Sequence, residues 1–148
     1  MKQLITILFI GITSAFFAQQ DYNTKKGLVA NGYDVVAYFN NTAEKGKKKF
    51  TTNHDGVKFQ FSSKENLEKF NKEPLKYVPQ YGGYCAYAIG KSGEKVAINP
   101  KTFEIREGKL YLFYNAWGTN TLKLWTEEGA DDLKEKADKN WKKLKKKS

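Results

Sequence analysis

The chain has 148 residues, 26 lysines and arginines against 16 acids for a net charge of +10, one cysteine and one histidine. A lone cysteine excludes an internal disulfide, and a single cysteine with a single histidine cannot build the four-ligand thiolate and imidazole sets of structural zinc. Arg106 is the only arginine, so the charge is carried by lysine, which suits solubility and loose attraction to anionic polymers. It argues against base-specific nucleic-acid readout, which leans on arginine, asparagine and glutamine at base edges.

Residues 1–18 have the layout of a cleaved export signal: Lys2, an apolar run from Leu4 to Ile12, and a small residue, Ala18, before Gln19. The run falls short of the roughly 20 residues a membrane span needs. The predicted mature chain, 19–148, has 130 residues and a net charge of +9, enough for one domain with one core. Its expected location is periplasmic or extracellular.

From Gln19 to Ala30 the chain is polar and reads as loose. Gly32 to Phe39 starts with a turn and continues as an apolar, β-prone stretch. Asp55-Gly56 predicts a tight hairpin between Phe50–His54 and Val57–Phe61, with His54 opposite Val57, Thr52 opposite Phe59 and Phe50 opposite Phe61. Ser62 with Glu65 reads as a capping box for a short helix that buries Leu67 and Phe70 and stops at Pro74. Glu107-Gly108 predicts a second hairpin that pairs Ile105 with Leu110 and Phe103 with Leu112. Leu122 and Trp125, then Leu133, Ala137, Trp141 and Leu144 after Gly129, are spaced as helix stripes. The last helix and tail are basic, with eight lysines between Lys134 and Ser148. No internal repeat is visible in the sequence. The expected fold class is α+β: a small single domain of two β-hairpins packed with a short helix and C-terminal helices.

Nucleotide-phosphate cradles, the G-x-S-x-G elbow and the H-E-x-x-H metal motif are absent from the sequence. The residues with chemistry to offer are Cys85 and His54. Thiolate and imidazole together suit copper or zinc, with a third ligand from Asp34, a tyrosine or water. The same pair can form a thiol nucleophile with its base. Cys85 can equally be a small buried hydrophobe with His54 at a hairpin rim. Tyr33, Asp34, Tyr84 and Tyr87, near glycines, are candidate lining for a small-ligand pocket or simply core. The lysine-rich end is a solvated helix face or a weak contact for anionic polymers and membrane surfaces.

Several segments resemble the exported branch of the YHS-domain proteins. These are Gly32-Tyr33-Asp34, Val36-Ala37-Tyr38-Phe39, Gly56-Val57, Phe61-Ser62-Ser63, Phe70 and Pro74 with Lys76-Tyr77, the run Pro79-Gln80-Tyr81-Gly82-Gly83-Tyr84-Cys85-Ala86-Tyr87-Ala88, Gly108-Lys109-Leu110-Tyr111-Leu112 and Ala137-Asp138-Lys139-Asn140-Trp141. Val35 departs from that branch, which commonly has proline there. Metal-handling cousins carry a Phe-Cys-Ser-x-x-Cys-x-x-x-Phe motif, which Phe61, Ser63 and Phe70 fit. Ser62 and Asn66 stand at its two cysteine positions. The resemblance implies no settled activity. The functional expectation is an exported binding module, with copper or zinc at Cys85 and His54. The alternatives are a thiol-based redox or transfer enzyme using Cys85, and a structural or surface-adhesion protein.

Overall fold

The computed structural model describes residues 21–147. The expected signal at residues 1–18 lies outside them. The chain opens with β1 (Thr24–Lys25) and β2 (Leu28–Val29), a small antiparallel hairpin where the sequence reads as loose. Two further strands, β3 (Lys47–His54) and β4 (Val57–Phe61), complete a four-stranded sheet in the order β1-β2-β4-β3, with β2 parallel to β4. The β3–β4 turn is tight. Asp55 and Gly56 both have positive φ, 50° and 78°, as a two-residue hairpin turn requires. His54 faces Val57 and Thr52 faces Phe59, as expected. Further along, an irregularity between Lys47 and Thr51 shifts the register. Phe61 therefore pairs with Lys47 and not with Phe50.

The apolar stretch after Gly32 is not a strand. Residues Ala37–Asn40 form a 3₁₀ turn, because the Asp34 carboxylate accepts from the backbone N–H groups of Val36 and Ala37 and bends the chain into helical geometry. Helix α1 spans Lys64–Lys72. Its N-cap is Ser63, whose side chain accepts from Asn66 N–H at 3.1 Å, in place of the expected Ser62–Glu65 box. Pro74 ends α1 and opens a short second helix, α2 (Pro74–Tyr77), at a position where a missing N–H costs nothing. Helix α3 (Ala86–Ser92) follows the cysteine.

The second hairpin, β5 (Asn99–Arg106) and β6 (Lys109–Phe113), turns through Glu107 and Gly108 with φ of 50° and 72°. It pairs Ile105 with Leu110 and Phe103 with Leu112, as the sequence predicts. A further ribbon, β7 (Asn115–Ala116) with β8 (Thr119–Asn120), carries Trp117 at its tip, 96% exposed. Helices α4 (Thr121–Glu128) and α5 (Ala130–Lys145) close the chain. Asn120 caps α4 through its side-chain oxygen. The fold is α+β.

Strand β6 explains how so short a chain packs on both sides of a ribbon. Leu110 and Leu112 belong to one buried cluster with Phe59, Phe61, Phe70, Tyr38 and Cys85. Tyr111 and Phe113, on the opposite face, belong to a second cluster with Ile89, Trp125, Leu133, Ala137 and Trp141. The alternation of side chains along a strand thus divides the interior in two, with β6 as the shared wall.

Candidate functional site

The Tyr81-Gly82-Gly83 segment is a left-handed turn, with φ of 55°, 61° and 82°. A geometric counterpart lies earlier in the same chain. Ala30, Asn31 and Gly32 have φ of 53°, 54° and 82°. Each turn is closed by a tyrosine N–H donating three residues back, Tyr33 to Ala30 O at 3.0 Å and Tyr84 to Tyr81 O at 3.1 Å. Each tyrosine is extended, and each is followed by a fully buried residue, Asp34 or Cys85, at the entry to a helical segment. The repetition is geometric; the two stretches share only the Gly-Tyr pair in register.

Asp34 is held entirely by the fold. Oδ1 accepts from Val36 N–H at 2.9 Å and Ala37 N–H at 3.1 Å. Oδ2 accepts from Ser62 N–H at 2.8 Å, Ser62 Oγ–H at 2.7 Å and Asn66 Nδ2–H at 2.8 Å. Ser62 and Asn66, at the cysteine positions of the metal-handling motif, therefore point donors at a carboxylate. That donor set does not fit a copper or zinc ion, which takes deprotonated sulfur, nitrogen or oxygen ligands.

Cys85 is also fully engaged. It is 0% exposed, and its N–H donates to Val96 O at 3.0 Å. Its sulfur lies 3.3 Å from Thr121 Oγ1. Thr121 spends its one hydroxyl proton on Tyr114 O at 2.7 Å, so the thiol is the donor of the pair. His54 has different surroundings. Its ring stands edge-on to Phe70 and Phe59, with centroids 5.6 and 6.1 Å apart. Its Nε2 lies 3.1 Å from Asp55 Oδ2 without hydrogen-bond alignment. No hydrogen bond or ion pair among the described residues joins Cys85 to His54. No group of three or more His, Cys, Asp and Glu residues among them is placed to hold a metal.

The four candidate pocket residues are dispersed. Tyr33 bridges to Lys45, and Asp34 is interred as described. Tyr84 donates to Asp21 Oδ1 at 3.0 Å; burial, and then this bond, push the pKa of its hydroxyl up to about 12. Tyr87 donates to Glu128 at 2.9 Å, beside the Lys91–Glu128 ion pair. None of the four lines the cavity beside the Tyr81-Gly82 turn.

That cavity has a volume of about 360 Å³ and lies against the left-handed turn. Val78, Pro79, Tyr81 and Gly82 of the turn segment line it together with Tyr22, Leu75, Lys109, Trp141, Lys142 and Lys145. Gly82 is essential to the construction. A Cβ there would stand 2.1 Å from the backbone oxygen of Asp21, where the first described residues cross the turn. The crossing is pinned by Asn23 N–H to Gly82 O at 2.9 Å and Asn23 Nδ2–H to Gly83 O at 3.1 Å. Tyr81 is anchored below by a 2.9 Å bond from its hydroxyl to Asp138, and burial followed by that bond drives its ionisation far above the usual phenol range. Sequence reading singled out the turn but missed Trp141, Lys109 and Lys142 as its neighbours. The one available signal was that Trp141 closes the last segment of the resemblance.

No family model, curated protein or solved structure matches the chain.

Proposed function

We propose that the chain is an exported, YHS-like binding module that takes a small organic ligand in the cavity beside Tyr81-Gly82. The observation that carries this reading is a contrast. Asp34 and Cys85 are buried and committed to internal partners. The cavity is open, of a size at the low end of small-molecule pockets, and walled by aromatic rings and lysines. A module of this kind binds without a reacting side chain of its own.

The test is a fragment screen by two-dimensional amide NMR on the purified full chain. Ligands that fit the reading shift the Gly82 amide and the Trp141 indole N–H together. Hits that scatter over the surface, or that shift neither signal, overturn it. Copper and zinc belong in the same screen. Uptake of either ion that is lost in both Cys85→Ser and His54→Ala would move the function to the metal reading.

A further inference from the structure

We propose that the ligand of this cavity is an organic anion: a carboxylate, sulfonate or phosphate joined to a flat apolar body. The inference rests on the reading of the cavity as the binding site and adds the chemical class of its occupant.

Charge around the opening decides the sign. Two carboxylates and three lysines contribute to the lining. Both carboxylates are already neutralised. Asp138 accepts from Tyr81 and pairs with Lys134 at 3.7 Å. Asp21 accepts from Tyr84 and is ion-paired to Lys95. Lys109 and Lys142 have no ion-pair partner among the described residues. Lys145 packs over the Trp141 ring, 5.8 Å from its centroid. The opening thus presents excess positive charge beside low-dielectric aromatic walls, which concentrates anions.

The apolar half of the ligand matches the hydrophobic surface that the fold leaves uncovered at the cavity. Leu75 lines the cavity and is 79% exposed, one of three large hydrophobic residues left exposed among those described. Trp141, Pro79 and Tyr22 face the same space. A flat hydrocarbon body laid against Trp141 and Pro79 covers Leu75 and places an acidic group within reach of Lys109 and Lys142. A cation meets repulsion there, and a neutral body gains only the apolar contact. Lysine supports this without bidentate geometry, so the acid group is specified by charge and not by shape.

The experiment uses three isosteric probes: naphthalene-2-carboxylate, 2-naphthylmethanol and 2-naphthylmethylamine. Binding to the full chain is measured by calorimetry at low and high salt, with the Trp141 indole N–H as a site reporter. The expected result is about tenfold tighter binding of the carboxylate than of the alcohol at low salt, narrowing as salt rises. The amine binds weakest. In the double variant Lys109→Gln, Lys142→Gln the preference for the carboxylate collapses while the alcohol binds as before. The control pair Lys146→Gln, Lys147→Gln lies outside the cavity lining and keeps the preference. Equal affinity for carboxylate and alcohol, with the Trp141 signal shifting for both, overturns the anion class but leaves the binding site standing. Loss of preference in the control pair as well reduces the effect to the overall charge and also overturns it. No binding of any probe, with the Trp141 signal still, overturns the cavity reading beneath it.

Discussion

Substituting Asp34 by asparagine keeps the shape of the side chain and changes only what its two outer atoms can accept. Every partner of Asp34 is a donor: two backbone N–H groups on Oδ1, and an N–H, a hydroxyl and an amide on Oδ2. The asparagine NH₂ must face one of these sets. Turned toward Oδ1's partners it orphans two buried donors; turned the other way it confronts three. Each buried donor left without an acceptor costs about 1–3 kcal/mol, so the least damaging orientation still costs roughly 3–5 kcal/mol. That is a large share of the about 5–15 kcal/mol that holds a domain of this size together. With a urea slope of about 1–3 kcal/mol per molar, the unfolding midpoint followed by tryptophan fluorescence should fall by about 2 M. Ser62→Ala is the matched control. It removes one donor and orphans none, so its cost should be near 1 kcal/mol. An Asp34→Asn midpoint within about 0.5 M of the parent, or a Ser62→Ala loss as large as that of Asp34→Asn, would refute the reasoning.

Gly82→Ala should destabilise by well over the roughly 1–2 kcal/mol that a left-handed alanine costs, because its Cβ meets a backbone oxygen; Gly27→Ala, also at positive φ but with no atom near, should cost only that conformational amount in the same melt. The native Cys85 thiol should resist alkylation and become reactive only above the unfolding midpoint, and Cys85→Ser should cost about 1–3 kcal/mol; rapid labelling under native conditions would contradict its burial. Burial raises Tyr84 and Tyr111 to about 12, so the unfolded state releases their protons first. Stability should therefore be intact below about pH 10 and decline as pH rises toward 12, with phenolate absorbance lagging that of free tyrosine; a phenol titration complete by about pH 10.5 would contradict the geometry. Mass analysis of the exported chain should give a start at or near Gln19, and an intact Met1 would overturn the export reading.

The features legible in the sequence are those written locally. Asp55-Gly56 and Glu107-Gly108 announce their turns, and near each turn the register follows from the alternation alone. The α5 stripe of Leu133, Ala137 and Trp141 is buried as its spacing demands. What failed depended on hydrogen bonds and pairings that composition does not show, some of them local and some between residues distant in sequence. The shift between Lys47 and Thr51 has no local marker in a run of lysines. The stretch after Gly32 has strand composition, and only the Asp34 bonds to Val36 and Ala37 turn it helical. Ser62 looks like a cap, but its donors are claimed by Asp34, 28 positions earlier, and the cap passes to Ser63. The cavity draws on residues 21–22, 75–82, 109 and 138–145, which no window of sequence brings together.

The sole thiol is shut inside the core, and the chain offers it no second thiol. Folding therefore needs neither an oxidant nor a disulfide isomerase, and no wrong internal pairing exists to be corrected. Two copies cannot crosslink through sulfur unless both first open to expose Cys85. Small exported domains commonly rely on disulfides for stability and inherit a dependence on the redox poise around them. This chain has no internal disulfide to lose, so its described fold rests on aromatic packing and buried hydrogen bonds, which a thiol reductant does not cleave.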